Sequence, residues 1–139
     1  MKKLIFFLVL LLSIGNVFGQ DKGDAIVGEW LSSSKEGKIQ IYRQGNKYFG
    51  KISWSKNPGN LDTKNPDEKL RSRTIVGSVI LKDFEFDGDN EWEDGTIYDP
   101  KSGKTYSCNM ELKNANQLKI RGYIGISLIG RTEVWDRVK

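Results

Sequence analysis

The sequence predicts an all-β protein, about eight antiparallel strands closed into an up-and-down barrel, on three observations. Short stretches of alternating apolar and polar residues recur along the chain, turn-forming residues separate them, and no stretch has the spacing of an amphipathic helix. So few strands hide every edge only by closing on themselves, which favours a barrel over an open sandwich.

The first element stands apart from this pattern. Lys2 and Lys3 precede an unbroken apolar run over residues 4–12, and residues 13–19 supply small and turn-prone residues. This is the pattern of a secretory signal peptide with its cut between Gly19 and Gln20, leaving one domain over residues 20–139. The run is too short for an ordinary membrane span, so the mature form is expected to have no stable one. No cysteine follows the run, which speaks against lipid-anchored export. The expected location is the periplasm or the medium.

Strands are then expected in order. Residues 25–32 form the first, and residues 38–43 alternate Ile39 and Ile41 with polar neighbours. Gln44-Gly45-Asn46 is a tight turn, because Gly and Asn tolerate the positive φ that hairpins require. Residues 47–55 follow, with Tyr48, Gly50, Ile52 and Trp54 expected on one face. Residues 79–86 set Phe84 and Phe86 against Asp83, Glu85 and Asp87, and a turn at 87–90 leads into residues 91–98. Pro100 and Gly103 mark the next turn. Residues 104–112 put Tyr106, Cys108, Met110 and Leu112 inward; residues 118–123 pair back, and residues 131–138 finish.

Composition excludes several functions. Removing Lys2 and Lys3 from 22 basic residues leaves 20 against 18 acidic ones, a net charge of +2, too small to argue for nucleic acid. Cys108 is the only cysteine, so there is no internal disulfide and no thiolate zinc cluster. The chain has no histidine, which removes the commonest general base and metal ligand and the usual triads. Asp87, Asp89 and Glu91 echo a calcium loop, but Trp92 stands where Gly is needed and Tyr98 where the bidentate Glu belongs. A solvated turn explains them better. No metal, cofactor or catalytic residue is assigned. Cys108, alternating with Tyr106 and Met110, reads as a small buried hydrophobe.

Two segments break the rhythm. Residues 56–73, "KNPGNLDTKNPDEKLRSR", are polar and longer than a hairpin needs. They suit a lid or binding loop, or a plain surface excursion. Arg71 and Arg73 share a face if extended, forming a fork for a carboxylate or phosphate, or else ion pairs with Asp67, Glu68 or the acidic hairpin. Residues 122–130, "GYIGISLIG", are too apolar for a solvated loop, and Tyr123, Ile126, Leu128 and Ile129 are expected on the buried side of a plug.

The ordered segments "GEW", "YFGKISW", "NPDEKLRSR", "WEDGTIYDPKSGKTYS", "LKIRGYIG" and "GRTEVWDR" resemble a secreted bacterial family catalogued as domain of unknown function 2147. The resemblance covers essentially all of the mature chain. It implies a lipocalin-like, or calycin-like, eight-stranded up-and-down barrel and no established activity. In lipocalins a Gly-X-Trp on the first strand seats its Trp near the closed end, where a late Arg covers the ring. Here Gly28, Trp30 and either Arg131 or Arg137 would supply that seam. No Thr-Asp-Tyr-like segment occurs mid-chain, so only the architecture carries over.

The closing stretch "GRTEVWDRV" therefore has two readings. Arg131, Glu133, Trp135 and Arg137 share one face, either as the seam of the barrel, with Arg131 the first choice over an indole and Arg137 the second, or as a ligand-reading face. Candidate ligand contacts are Trp54, Arg71, Arg73, Trp92 and Tyr98, with Arg121, Tyr123, Arg131 and Trp135 completing an aromatic-walled pocket with an arginine anchor. The expected function is an exported, non-enzymatic binding barrel for a small apolar or amphipathic molecule. The alternatives are an envelope-interaction protein with a filled barrel and, more remotely, a hydrolase using Asp or Glu.

Overall fold

In chain order, β1 (Gly28–Leu31), β2 (Gly37–Gln44), β3 (Lys47–Ser55), β4 (Val79–Phe86), β5 (Glu91–Asp99), β6 (Lys104–Asn114), β7 (Gln117–Tyr123) and β8 (Gly130–Arg137) pair antiparallel, each with the next. β8 returns to β1, closing the barrel. The computed structural model describes residues 22–123 and 130–139. The expected leader and the expected plug residues Ile126, Leu128 and Ile129 lie outside them. Among the described residues no helix is long and apolar enough to cross a membrane.

One end of the barrel is closed by a 3₁₀ turn, Gly23–Ile26, where the sequence predicted the start of β1. The turn wins because its carbonyls are wanted by the core. The Trp30 indole donates to Ile26 O at 2.9 Å and the Trp92 indole to Gly23 O at 3.2 Å. Tyr48 donates its hydroxyl to Asp24 Oδ1 at 2.8 Å. A β-carbon on Gly23 would run into that hydroxyl, so glycine is needed here for close approach. Burial, then the bond to Asp24, pushes the Tyr48 hydroxyl pKa up to about 12.

Above this floor, alternate strand residues fill the lumen. Ile39, Ile41, Leu81, Phe84, Met110 and Leu118 are all buried in one cluster with Trp30 and Trp135. The inward glycines of β3 and β5 make room for the largest of them. A β-carbon at Gly50 would stand 2.7 Å from Leu81 Cδ1, and one at Gly95 would overlap the Phe84 ring.

The pleat is interrupted at places that the hydrophobic pattern does not mark. Three residue steps of β3, from Tyr48 to Lys51, match five steps of β4, from Phe84 back to Val79. Asp83 and Asp94 take positive φ, 64° and 61°, beside irregularities of register. A shift at Lys38/Ile39 likewise pairs Trp54 with Lys38 and takes it off the face of Tyr48, Gly50 and Ile52.

Candidate functional site

The antiparallel β7–β8 register puts Trp135 beside Leu118 and Glu133 beside Ile120, both buried, so odd-numbered residues of β8 face the lumen. The face sorted from the sequence is therefore a single inner row. Its two ends have different surroundings.

At the closed end, Trp30 and Arg137 are register partners, and the guanidinium lies 4.3 Å from the indole centroid. Arg137 donates to Ala25 O at 2.7 Å, Val27 O at 3.1 Å and Ala115 O at 2.7 Å. The β1–β8 ladder has only two register pairs, against seven between β7 and β8, so these bonds stitch a seam that the ladder alone holds weakly. Gly28 has φ 142°, and a β-carbon there would stand 2.8 Å from Arg137 Nη1. Glycine two residues before Trp30 thus leaves space for the guanidinium. Arg131, the expected first choice for this role, is not at the seam. It pairs with Gly122, six residues along β8 from Arg137, or roughly 20 Å of strand.

At the open end, Arg131 Nη2 lies 3.3 Å from Glu133 Oε1, with the arginine side chain 82% exposed and the glutamate 30%. The other carboxylate oxygen, Oε2, accepts from the Trp135 indole at 3.3 Å. Trp135 itself is buried, at 3% exposure. The half-buried Ile97 and Tyr106 face the same space; both approach the inward Gly122, where an added β-carbon would meet them at 3.6 and 3.8 Å. The mouth thus combines apolar wall, one carboxylate whose two oxygens are engaged, and one guanidinium whose only ion pair among the described residues is with that carboxylate.

The remaining candidates do not join it. Trp92 is a floor residue, packed edge-on against Tyr48 and tilted against Phe86 at the closed end. Trp54, 41% exposed, sits under the Lys38 ammonium at 5.3 Å. Arg121 and Tyr123 point outward from β7, since Ile120 points inward; they stack at 5.2 Å, and Arg121 donates to Thr132 at 2.9 Å. Tyr123, expected on the buried side of a plug, is therefore part of the outer wall.

Arg71, Arg73 and Tyr98 belong to a latch that the sequence did not reveal. Its centre is Asp62, 1% exposed. Tyr98 donates to Asp62 Oδ1 at 2.6 Å, while Asn65 at 2.9 Å and Arg73 at 3.1 and 3.0 Å donate to Oδ2. Arg71 bonds Asn65 O at 2.7 Å and stands 3.9 Å from Glu68. Gly103, in the β5–β6 turn, packs directly on Lys64 O. Both arginines are thus engaged in ion pairs: Arg71 stands beside Glu68, one of the expected acids, whereas the partner of Arg73 is Asp62, which was not among them. Burial works to raise the Asp62 pKa, but the bonds from Tyr98, Asn65 and Arg73 outweigh it and hold the carboxyl below its ordinary range. The only hint in the sequence is the Asp62-x-x-Asn65 spacing, a turn pattern too common to single out. The 56–78 connection is packed structure at this point, not a free flap.

Asp87, Glu91 and Glu93 bring carboxylate oxygens within 4.8 Å of one another. Asp87 Oδ1 accepts from the backbone N–H of Asp89 and Glu91, at 2.8 and 3.2 Å, so it caps its own turn. Burial pushes the Cys108 thiol up to about 12, well away from a reactive thiolate.

Residues 28–137 match the family described as "Uncharacterized protein conserved in bacteria (DUF2147)". Among solved structures the chain is similar to a Helicobacter pylori protein, HP1028, described as belonging to the lipocalin family. The likeness has a TM-score of 0.74 and 21% identity, and covers 82% of this chain and 83% of that one. No curated protein matches the chain. At that identity the structural likeness establishes the lipocalin-like barrel and nothing finer.

Proposed function

We propose that this chain, which belongs to the DUF2147 family, is an exported, non-enzymatic binding barrel whose ligand is a small amphipathic molecule. The apolar part enters the mouth of the barrel, and an acidic head meets Arg131. The observation that carries this is the gradient along the inner row of β8. Arg137 and Trp135 are fully committed to the fold, whereas Arg131 holds one ion pair and leaves most of its guanidinium exposed. The half-buried Ile97 and Tyr106 beside Gly122 would give such a ligand its apolar wall. Because the lumen is filled at the level of Phe84 and Leu81, the ligand is small or shallowly bound. Export is supported by the leader pattern at the chain start.

The test uses the secreted mature protein. Native mass spectrometry would look for retained compounds, and dodecanoate would be titrated against tryptophan fluorescence. Saturable quenching, weakened about tenfold by Arg131→Gln as expected for one charged contact, supports the proposal. No retained compound and no saturable response would favour the filled, structural barrel.

A further inference from the structure

A concavity lies on the outer wall of the barrel, away from the mouth. It encloses about 590 Å³ between the outer faces of β2–β4 and the returning limb of the 56–78 connection. One side is the stacked pair Tyr42 and Phe49, centroids 5.9 Å apart at 21°. The rest of the lining comes mainly from Arg73, Thr74, residues 76–79 and Lys82.

Three features give this groove the character of a site. First, it lies where β4 carries its surplus residues against β3, so the wall is bent there and not simply pleated. Second, its far side is fixed. Arg73 is clamped on Asp62, Ser78 donates its hydroxyl to Ile75 O at 2.6 Å, and Thr74 donates to Val76 O at 3.1 Å. A groove with a held wall loses little freedom when filled. Third, its lining has two cations and no carboxylate. Arg73 is already neutralised by Asp62, whereas Lys82 makes no ion pair among the described residues.

We infer that this groove is a second binding site, for a flat organic anion. A planar apolar body would lie against Tyr42 and Phe49, and a carboxylate-type head would meet Lys82. Aromatic faces supply area without ordering cost, and the lone ammonium selects the sign of the head. The inference does not depend on the proposal for the barrel mouth, which uses the other face of the wall.

Titration of isotope-labelled mature protein with 2-naphthoate, followed by amide chemical shifts, tests it. Shifts should concentrate in residues 42–49 and 74–82. Lys82→Gln should weaken binding at least fivefold, and added salt or replacement of the probe by uncharged 2-naphthylmethanol should weaken it similarly. Lys82 is exposed, so the variant should keep its fold, to be checked by an unchanged spectrum elsewhere. Shifts confined to residues 118–123 and 131–135 would overturn the outer site while supporting the mouth. Binding that ignores both Lys82 and the charge of the probe would overturn it as well.

Discussion

Arg137 and Arg131 stand on one face of one strand, six residues apart, and differ in almost every physical respect. Arg137 covers an indole at 4.3 Å and bonds three backbone carbonyls. Arg131 shares one carboxylate and faces solvent. The first closes the seam, and the second is the arginine to which the proposed ligand's head is assigned. Sequence period places both on the same face, but what each meets is decided by the chain segments at the two ends of the barrel. The closed end is built from a local turn and two tryptophans, while the other end carries, among the described residues, the long 56–78 connection and the exposed Arg131.

The comparison breaks most visibly at the floor. Trp30→Ala should destabilise the protein by about 3–5 kcal/mol in urea unfolding, since it deletes a fully buried indole. A loss below about 1 kcal/mol would mean that the closed end is not where the stability lies.

Next is the latch on the 56–78 connection. Asp62→Asn should cost about 3 kcal/mol, because Arg73 and Tyr98 lose a buried anionic partner. The sign with pH follows from the depressed pKa. The stabilisation from Asp62 is fully present above the ordinary carboxylate range, about 4, and disappears as pH falls through the lower folded value. Melting temperature should therefore drop with acidification in the wild type, and less steeply in Asp62→Asn. Identical slopes would remove Asp62 from the acid response.

The strands and the closure were readable because alternation is a local property. Tyr106, Cys108, Met110 and Leu112 needed only period two and the neighbouring turns. Trp30 and Trp135, the two tryptophans of the seam reading, are 0% and 3% exposed. Bulges at Asp83 and Asp94 were not readable, since an Asp in left-handed backbone leaves no trace in hydrophobic pattern. Asp62 was hidden for another reason. It lies in a mostly polar stretch, and one of its partners there is Tyr98, 36 residues away. The arginine over Trp30 was legible as a kind of residue but not as a number. Choosing 137 over 131 required the register of β1 against β8, which four strand residues do not announce.

A smaller effect sharpens the seam. Arg137→Ala should cost about 2 kcal/mol, through lost charged hydrogen bonds and an uncovered indole ring. Arg137→Lys should recover only part of that loss, because an ammonium cannot span three carbonyls in one plane. Full recovery in the melting curve would show that charge alone is what the seam needs.

The smallest stability effect and the largest functional one are expected at the mouth. Arg131→Ala should change stability by less than about 0.5 kcal/mol, as for an exposed ion pair, while weakening capture of an amphipathic acid. The most direct measurement is therefore a matched pair, Arg131→Ala and Arg137→Ala, each followed by thermal unfolding and by dodecanoate titration. The division of labour along β8 predicts a crossed result: Arg131→Ala keeps its melting temperature and loses affinity, and Arg137→Ala loses melting temperature and keeps its affinity while folded. Parallel losses in both quantities for both variants, or affinity untouched by Arg131→Ala, would contradict it.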